Sequence, residues 1–323
     1  MSSSESPLLM DNENPTDTNA PAKVPNTKDD ESPSKGVPPA WKSYVAIVVI
    51  LGICAPIAYG TDTWIEYGIS FGIQFLVFLC HAWPFHTEKL YDFTGMITYL
   101  TLCIVAFFVG NVPDGISNRF ENIRSLIITA CIMIWTLRLG FFLFARVRKG
   151  SDPRFENKLY NFSFFLVTWT LQGIWCYWVA GILLGVINGK YKKTNALDYV
   201  GWALWVLGFA WEAIADHQKS AFKKDPNNKG KFCNVGLWSL SRRPNYFGEI
   251  VLWIGLSMSA CNVAFGADFL LLLSPFITII LLVFVSGIPL AEANSDKRYG
   301  NVEGYSEYKA NTPVLIPFCF CWK

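Results

Sequence analysis

Residues 236–255 read GLWSLSRRPNYFGEIVLWIG. Arg242, Arg243 and Pro244 stand directly before an apolar run, and Asn245, Tyr246 and Glu249 sit inside its first two turns. Pro244 suits a first helical turn, where its missing N–H costs nothing. The two arginines then sit at a helix N-terminus, where cations oppose the macrodipole. An anion at that spot resolves the conflict, because free backbone N–H groups and guanidinium forks both bind phosphate. A cytosolic loop obeying the positive-inside rule explains the arginines equally well, but not the Asn–Tyr–Glu set. Asn245 and Glu249 are four residues apart and Tyr246 and Glu249 three, so they share one side of a membrane helix.

Around this stretch, from Trp41 onward, long apolar runs dominate the chain. Of 323 residues, 52% are hydrophobic, 16% aromatic and 16% charged, with mean hydropathy +0.30. A soluble domain carries about 25% charge. Apolar runs of spanning length fall at roughly 43–60, 66–84, 93–111, 122–145, 161–187, 197–215, 245–265 and 268–290, with Pro275 and Pro289 as possible breaks in the eighth. The expected fold is all-α, a polytopic membrane bundle of about eight transmembrane helices over residues 40–318. Residues 1–39 are rich in Ser, Pro, Asn and Asp and read as a disordered tail, and 319–323 as a short tail. With the N-terminus in the cytosol, twenty-one Lys and Arg fall on cytosolic segments and five on the opposite side. The asymmetry predicts that both termini are cytosolic in an integral, multi-pass protein; the endoplasmic reticulum is the expected membrane.

Several classes are excluded. Nothing reads as a nucleic-acid site. Nine cysteines without a C-x-x-C pair form neither a disulfide framework nor a zinc site. Three scattered histidines are too few for a di-iron centre, so no metal is expected. The N-F-S at Asn161 matches a glycosylation acceptor but lies on the cytosolic side, against the bilayer, and reads as structural.

Three further stretches carry polar residues near the cytosolic face. In WEAIADHQKSAFKK (211–224), Glu212, Asp216, Lys219 and Lys223 share one helix face. Such a stripe is often a solvated salt-bridge row, but Glu212 and Asp216 end an apolar run, where ionisable groups are costly. In WTLRLGFFLFARVRKGSDPRFE (135–156), Arg138 is buried inside a span and needs an anionic partner or a polar cavity. Arg146, Arg148 and Lys149 form a basic exit, suited to lipid headgroups or a ligand. SDKRYGNVEGYSEYKANTPVLIPF (295–318) holds Arg298, Tyr305 and Tyr308, then turns apolar again, as a segment docking back on the bundle would.

Together the four stretches resemble the C-terminal region of the steroid 5α-reductase family, and most closely its large branch of polytopic membrane proteins, over roughly residues 90–318. The core R-P-N-Y-F-G-E is shared in related form with sterol reductases and isoprenylcysteine carboxyl methyltransferases. The resemblance implies a bundle of seven to ten helices that binds NADPH from the cytosol and reduces a carbon–carbon double bond of a lipid or sterol-like substrate from the bilayer. It implies cofactor-binding roles for Glu212 (often Asn in the reductases), Asp216, Asn245, Glu249, Arg298 and Tyr308, with Arg146 or Arg148 near a cofactor phosphate. One departure stands out. Trp135, three residues before Arg138, occupies the place of the tyrosine that polarises the enone carbonyl in the 5α-reductases. Tryptophan N–H is a weak acid, which argues against a 3-oxo steroid. No clear counterpart of the family's first-half glutamate stands out; Asp92 and Glu66 are the acidic residues considered.

The sequence therefore reads as a membrane oxidoreductase using NADPH. Tyr246 and Arg138 are read as catalytic, Tyr246 because a phenol O–H can donate a proton or a hydrogen bond. Arg242 and Arg298 would hold phosphates. The rival readings are an S-adenosylmethionine-dependent membrane methyltransferase, which needs fewer phosphate-facing cations, and a non-catalytic lipid-binding membrane protein.

Overall fold

A computed structural model describes residues 38–109, 112–147, 155, 157–285 and 287–319. The expected tail at 1–39 lies outside them except for its last two residues, as does Arg148; the side chain of Arg146 is also outside. Among the described residues there is no strand. Six helices are long and apolar enough to cross a membrane. They are α1 (Ala40–Thr61), α2 (Trp64–Ala82), α3 (Tyr91–Phe108), α4 (Ile123–Val147, apolar to Phe142), α5 (Phe162–Gly189) and α8 (Gly266–Tyr299). Between α5 and α8 lie α6 (Ala196–Lys224) and α7 (Pro244–Ala260), which carry the remaining two runs foreseen from hydropathy. A short α9 (Tyr305–Asn311) follows.

Local chemistry explains the boundaries. Asn161 caps α5 by accepting from Phe164 N at 3.0 Å, and Asn195 and Asp198 form a capping box at the start of α6. Pro244 stands in the first turn of α7. Pro275 and Pro289 do not break α8 into separate spans. Each falls in the first turn of a helical segment, at Leu273–Ile280 and Ile288–Tyr299, and the wider π-helical turn Leu281–Val285 precedes the second.

The tightest contact runs antiparallel between α6 and α7. Gly201 meets Gly255, and Gly208 meets Gly248. A Cβ at Gly208 would lie 2.6 Å from the Gly248 carbonyl oxygen. Small residues let helix backbones approach this closely, which is how helices associate where no hydrophobic drive operates. The core beside them is aromatic: Trp135 stands edge-on to Tyr99 at 5.3 Å and to Trp253 at 5.0 Å.

At the other end of α6, Arg124 is fully buried and paired with Asp198, Nε to Oδ1 at 2.5 Å and Nη2 to Oδ2 at 2.9 Å. Asp198 also accepts from Ser259, Asn262 and the Asn195 N–H. Every lone pair of this buried carboxylate is thereby engaged, as a low-dielectric site demands. The chain after α9 returns to the bundle: Arg242 N–H donates to Pro313 O at 2.9 Å, Ser241 Oγ donates to Leu315 O at 2.8 Å, and Val314 and Leu315 are buried.

Candidate active site

Arg242 and Arg243, directly before α7, line a cavity of about 250 Å³. Lys219, Lys223, Lys231, Arg242, Arg243 and Arg298 line it, against a single carboxylate, Glu292. The anion required by the two arginines is therefore present within the chain. Glu292 of α8 pairs with Arg242 and, at 2.8 Å, with Arg243 Nη2, which also reaches Ser295 Oγ at 3.0 Å. Six cations around one carboxylate remain strongly attractive to phosphate.

Two wall residues have unused capacity. Arg243 Nε is buried with no acceptor. Lys219 lies 4.0 Å over the Trp238 ring, a cation–π contact rather than an ion pair. Burial, with Arg243 and Lys223 close by, lowers its ammonium pKa to about 7. Tyr308 is held by donating to Trp238 O at 2.6 Å and lies 5.1 Å from the Phe232 ring; burial raises its phenol pKa. Arg298 is exposed at the rim. These residues fit a phosphate-bearing cofactor: charge for its phosphates, aromatic faces for its rings and an orphaned donor to satisfy.

Inward of this cavity, Arg138 of α4 bridges two carboxylates of α6, pairing with Glu212 and, Nη1 to Oδ2 at 3.0 Å, with Asp216. Its guanidinium also lies over Phe209, 5.4 Å from the ring centroid. The buried arginine thus has the anionic partners that its depth requires. Asn245 lies within hydrogen-bonding reach of Asp216, while its Oδ1 is buried without a donor.

A second cavity, of about 130 Å³, lies among α3, α4, α5 and α7. Its wall includes Asp92, Tyr99, Trp135, Thr136, Gln172 and Glu249. Trp135 Nε1 and Thr136 Oγ1 are buried there with no partner. Glu249 is within electrostatic range of Arg138, Glu212, Asp216 and Tyr99.

The structure thus brings Arg138, Glu212, Asp216, Asn245 and Glu249 together and sets Arg242, Arg298 and Tyr308 around the outer cavity. Tyr246 goes elsewhere. It packs with Ile250, Val283 and Ile288 in an apolar cluster and lines neither cavity. Tyr246 and Ile250 are four residues apart on one face, and that face looks toward α8. The sequence reading missed Glu292 and Tyr99. An acidic residue at the end of the last apolar run was the available signal for Glu292; Tyr99 had none.

The rat 3-oxo-5-alpha-steroid 4-dehydrogenase 1 is 23% identical over 210 residues, covering 62% of this chain and 70% of the rat protein. The macaque (Macaca fascicularis) protein of that name is 30% identical over 127 residues, 39% of this chain and 43% of its own. The "Probable O-methyltransferase ustE" of Ustilaginoidea virens is 33% identical over 78 residues, 24% of this chain and 28% of its own. The chain thus spans less than two thirds of the methyltransferase and macaque relatives. No solved structure matches. The family described as "Protein of unknown function (DUF1295)" matches residues 77–312. By that match the chain belongs to the DUF1295 family, within the steroid 5α-reductase-like group.

Proposed function

We propose that the protein is an NADPH-dependent membrane reductase of a carbon–carbon double bond in a lipid or steroid-like molecule taken from the bilayer. One observation carries this reading: the start of α7 serves both cavities. Arg243 lines the basic cavity and Glu249 lines the inner one. Six residues of helix separate them by about 9 Å, a span that an extended dinucleotide can bridge. On the basic-residue asymmetry, the outer cavity opens to the cytosol and both termini lie there. The bundle would cover residues 40–318, with cytosolic tails at 1–39 and 319–323.

In this reading Lys219, Arg243 and Arg298 bind phosphates, and Asn245 and Asp216 orient the cofactor between the cavities. Bound NADPH supplies hydride. Tyr99, edge-on to Trp135, provides the O–H that Trp135 lacks and donates a hydrogen bond to the substrate's polarising oxygen. Glu249 gives or receives a proton at the cavity wall. Arg138 holds Glu212 and Asp216 in place and balances their charge beside the reacting centre. The apolar remainder of the inner wall excludes water.

A methyltransferase is the second reading, supported by the 78-residue likeness to the protein named as an O-methyltransferase. One experiment separates the two: melting curves of the full-length protein in detergent with NADPH, NADH or S-adenosylmethionine. A ligand at 100 times its Kd stabilises by about 2.7 kcal/mol, a shift of several degrees. NADPH should give that shift and NADH less, because it lacks the 2′-phosphate. Stabilisation by S-adenosylmethionine alone would replace the reductase reading with the other.

A further inference from the structure

On the face opposite the basic cavity, the ends of α1, α2, α3 and α5 surround a cavity of about 470 Å³. Asp62, Glu66 and Asp114 line it with Trp64 and Asn188, and no lysine or arginine does. Asp62 and Asp114 are exposed and alone would be a solvated rim.

Glu66 is different. It is only 7% exposed, sits in the first turn of α2, and hydrogen-bonds only its own backbone N–H. No cation among the described residues pairs with it. Of the five basic side chains of that face, three are engaged elsewhere, Lys190 with Asp268, Arg124 with Asp198 and Arg119 with the Phe107 carbonyl; Lys192 and Lys193 are exposed to solvent and line no wall of this cavity. Gly185 makes room for the carboxylate, since a Cβ there would stand 3.2 Å from Glu66 Oε2. A buried, unpaired carboxylate at the end of a membrane helix is costly unless a cation meets it.

The shape of the cavity selects the cation. A divalent metal needs oxygens converging at about 2.0–2.6 Å, and among the described residues no group of three acidic, His or Cys side chains is so arranged. The volume instead suits an organic ligand. Trp64 on the wall adds an aromatic face of the kind that recognises ammonium groups. We propose that this cavity binds an organic ammonium ion, with Glu66 as its counter-ion and Asp62 and Asp114 drawing it in. The headgroup of an ethanolamine or choline lipid in the adjoining leaflet and a free amine share this chemistry. Asp62, Trp64 and Glu66 precede the family match at 77–312, while Asp114, Gly185 and Asn188 lie within it; none of them lines either cavity of the candidate active site, so the proposal does not depend on the function proposed there.

The test uses the full-length protein in two settings. In detergent, melting is followed against free ethanolamine and choline, with MgCl₂ and CaCl₂ as the metal arm. In nanodiscs, phosphatidylethanolamine or phosphatidylcholine is compared with phosphatidylglycerol. Saturable stabilisation by a free amine assigns a soluble ligand, and stabilisation only by an ammonium lipid assigns the headgroup. In either case Glu66→Gln should weaken the response at least about tenfold, while the NADPH or S-adenosylmethionine response of the same variant is unchanged. Should Glu66→Gln fail to fold, Asp62→Asn, on the exposed rim, should weaken the response severalfold. An unchanged response in a folded Glu66→Gln variant overturns the proposal, as does stabilisation by divalent metals in place of amines, or no response to any amine or ammonium lipid.

Discussion

Gly208 and Gly248 face each other across α6 and α7 so closely that a Cβ on the first would lie 2.6 Å from the carbonyl oxygen of the second. Glu212 follows Gly208 by one turn, and Glu249 adjoins Gly248. The glycine contact therefore sets the spacing of the carboxylates that meet Arg138. Gly208→Ala forces backbone apart and should cost about 1–3 kcal/mol, the usual range for overpacking. Chemical denaturation in micelles measures it. Gly68→Ala, where nothing lies within 4 Å of a new Cβ, should be close to neutral.

Glu249→Gln keeps the shape of the inner wall and removes its titratable proton. Turnover, followed as loss of the reduced nicotinamide with lipid substrate present, should fall about 10²–10⁴-fold. The melting shift given by NADPH should persist. Loss of both together would place Glu249 in cofactor binding instead.

Tyr99→Phe should lower turnover by a similar factor, whereas Tyr246→Phe should leave it within about twofold. The contrast follows from position, since Tyr99 lines the inner cavity and Tyr246 packs against α8. The reverse order would return the proton-donor role to Tyr246, as the sequence alone had it.

Lys219 makes phosphate binding depend on pH. With its pKa lowered to about 7 by burial and by Arg243 and Lys223, the free site loses its ammonium charge as pH rises through neutrality. Asp216 and Cys233 also face it, Asp216 favouring the charged form. A bound anion stabilises the ammonium, so the pKa in the complex is higher and a proton is taken up on binding. The Kd for NADPH should thus rise from pH 7 to 9, by up to about tenfold per unit. Lys219→Arg, which stays charged, should flatten that slope in a fluorescence titration.

Asp198→Asn leaves Arg124 buried without its counter-charge. Breaking such a pair costs about 3–5 kcal/mol, so unfolding should shift strongly while NADPH affinity in the surviving protein stays unchanged.

The helices were legible because each apolar run is long enough to declare itself, and so was the need of Arg138 for an anionic partner or a polar cavity, because a buried cation demands one; which acids supply it was not. Glu212 and Asp216, four residues apart at the end of an apolar run, are those acids. Side-chain direction was harder to read. Asn245 and Tyr246 are neighbours in sequence but about 100° apart around α7, and only the position of α8 shows which of them meets its apolar surface. Glu292 was invisible as a partner of Arg242 and Arg243 because some fifty residues separate them. Tyr99 lies in a run whose hydropathy marks a span and nothing more.

Glu292 has a consequence for how the basic cavity responds to ionic strength. An entering phosphate meets arginines that already hold an anion, so its binding is an exchange of one counter-charge for another. Displacing an internal carboxylate releases fewer bulk ions than neutralising bare guanidinium groups. Affinity should therefore decline less steeply with added salt than six surrounding cations would imply. The freed Glu292 would also slacken the tie between the start of α7 and the end of α8.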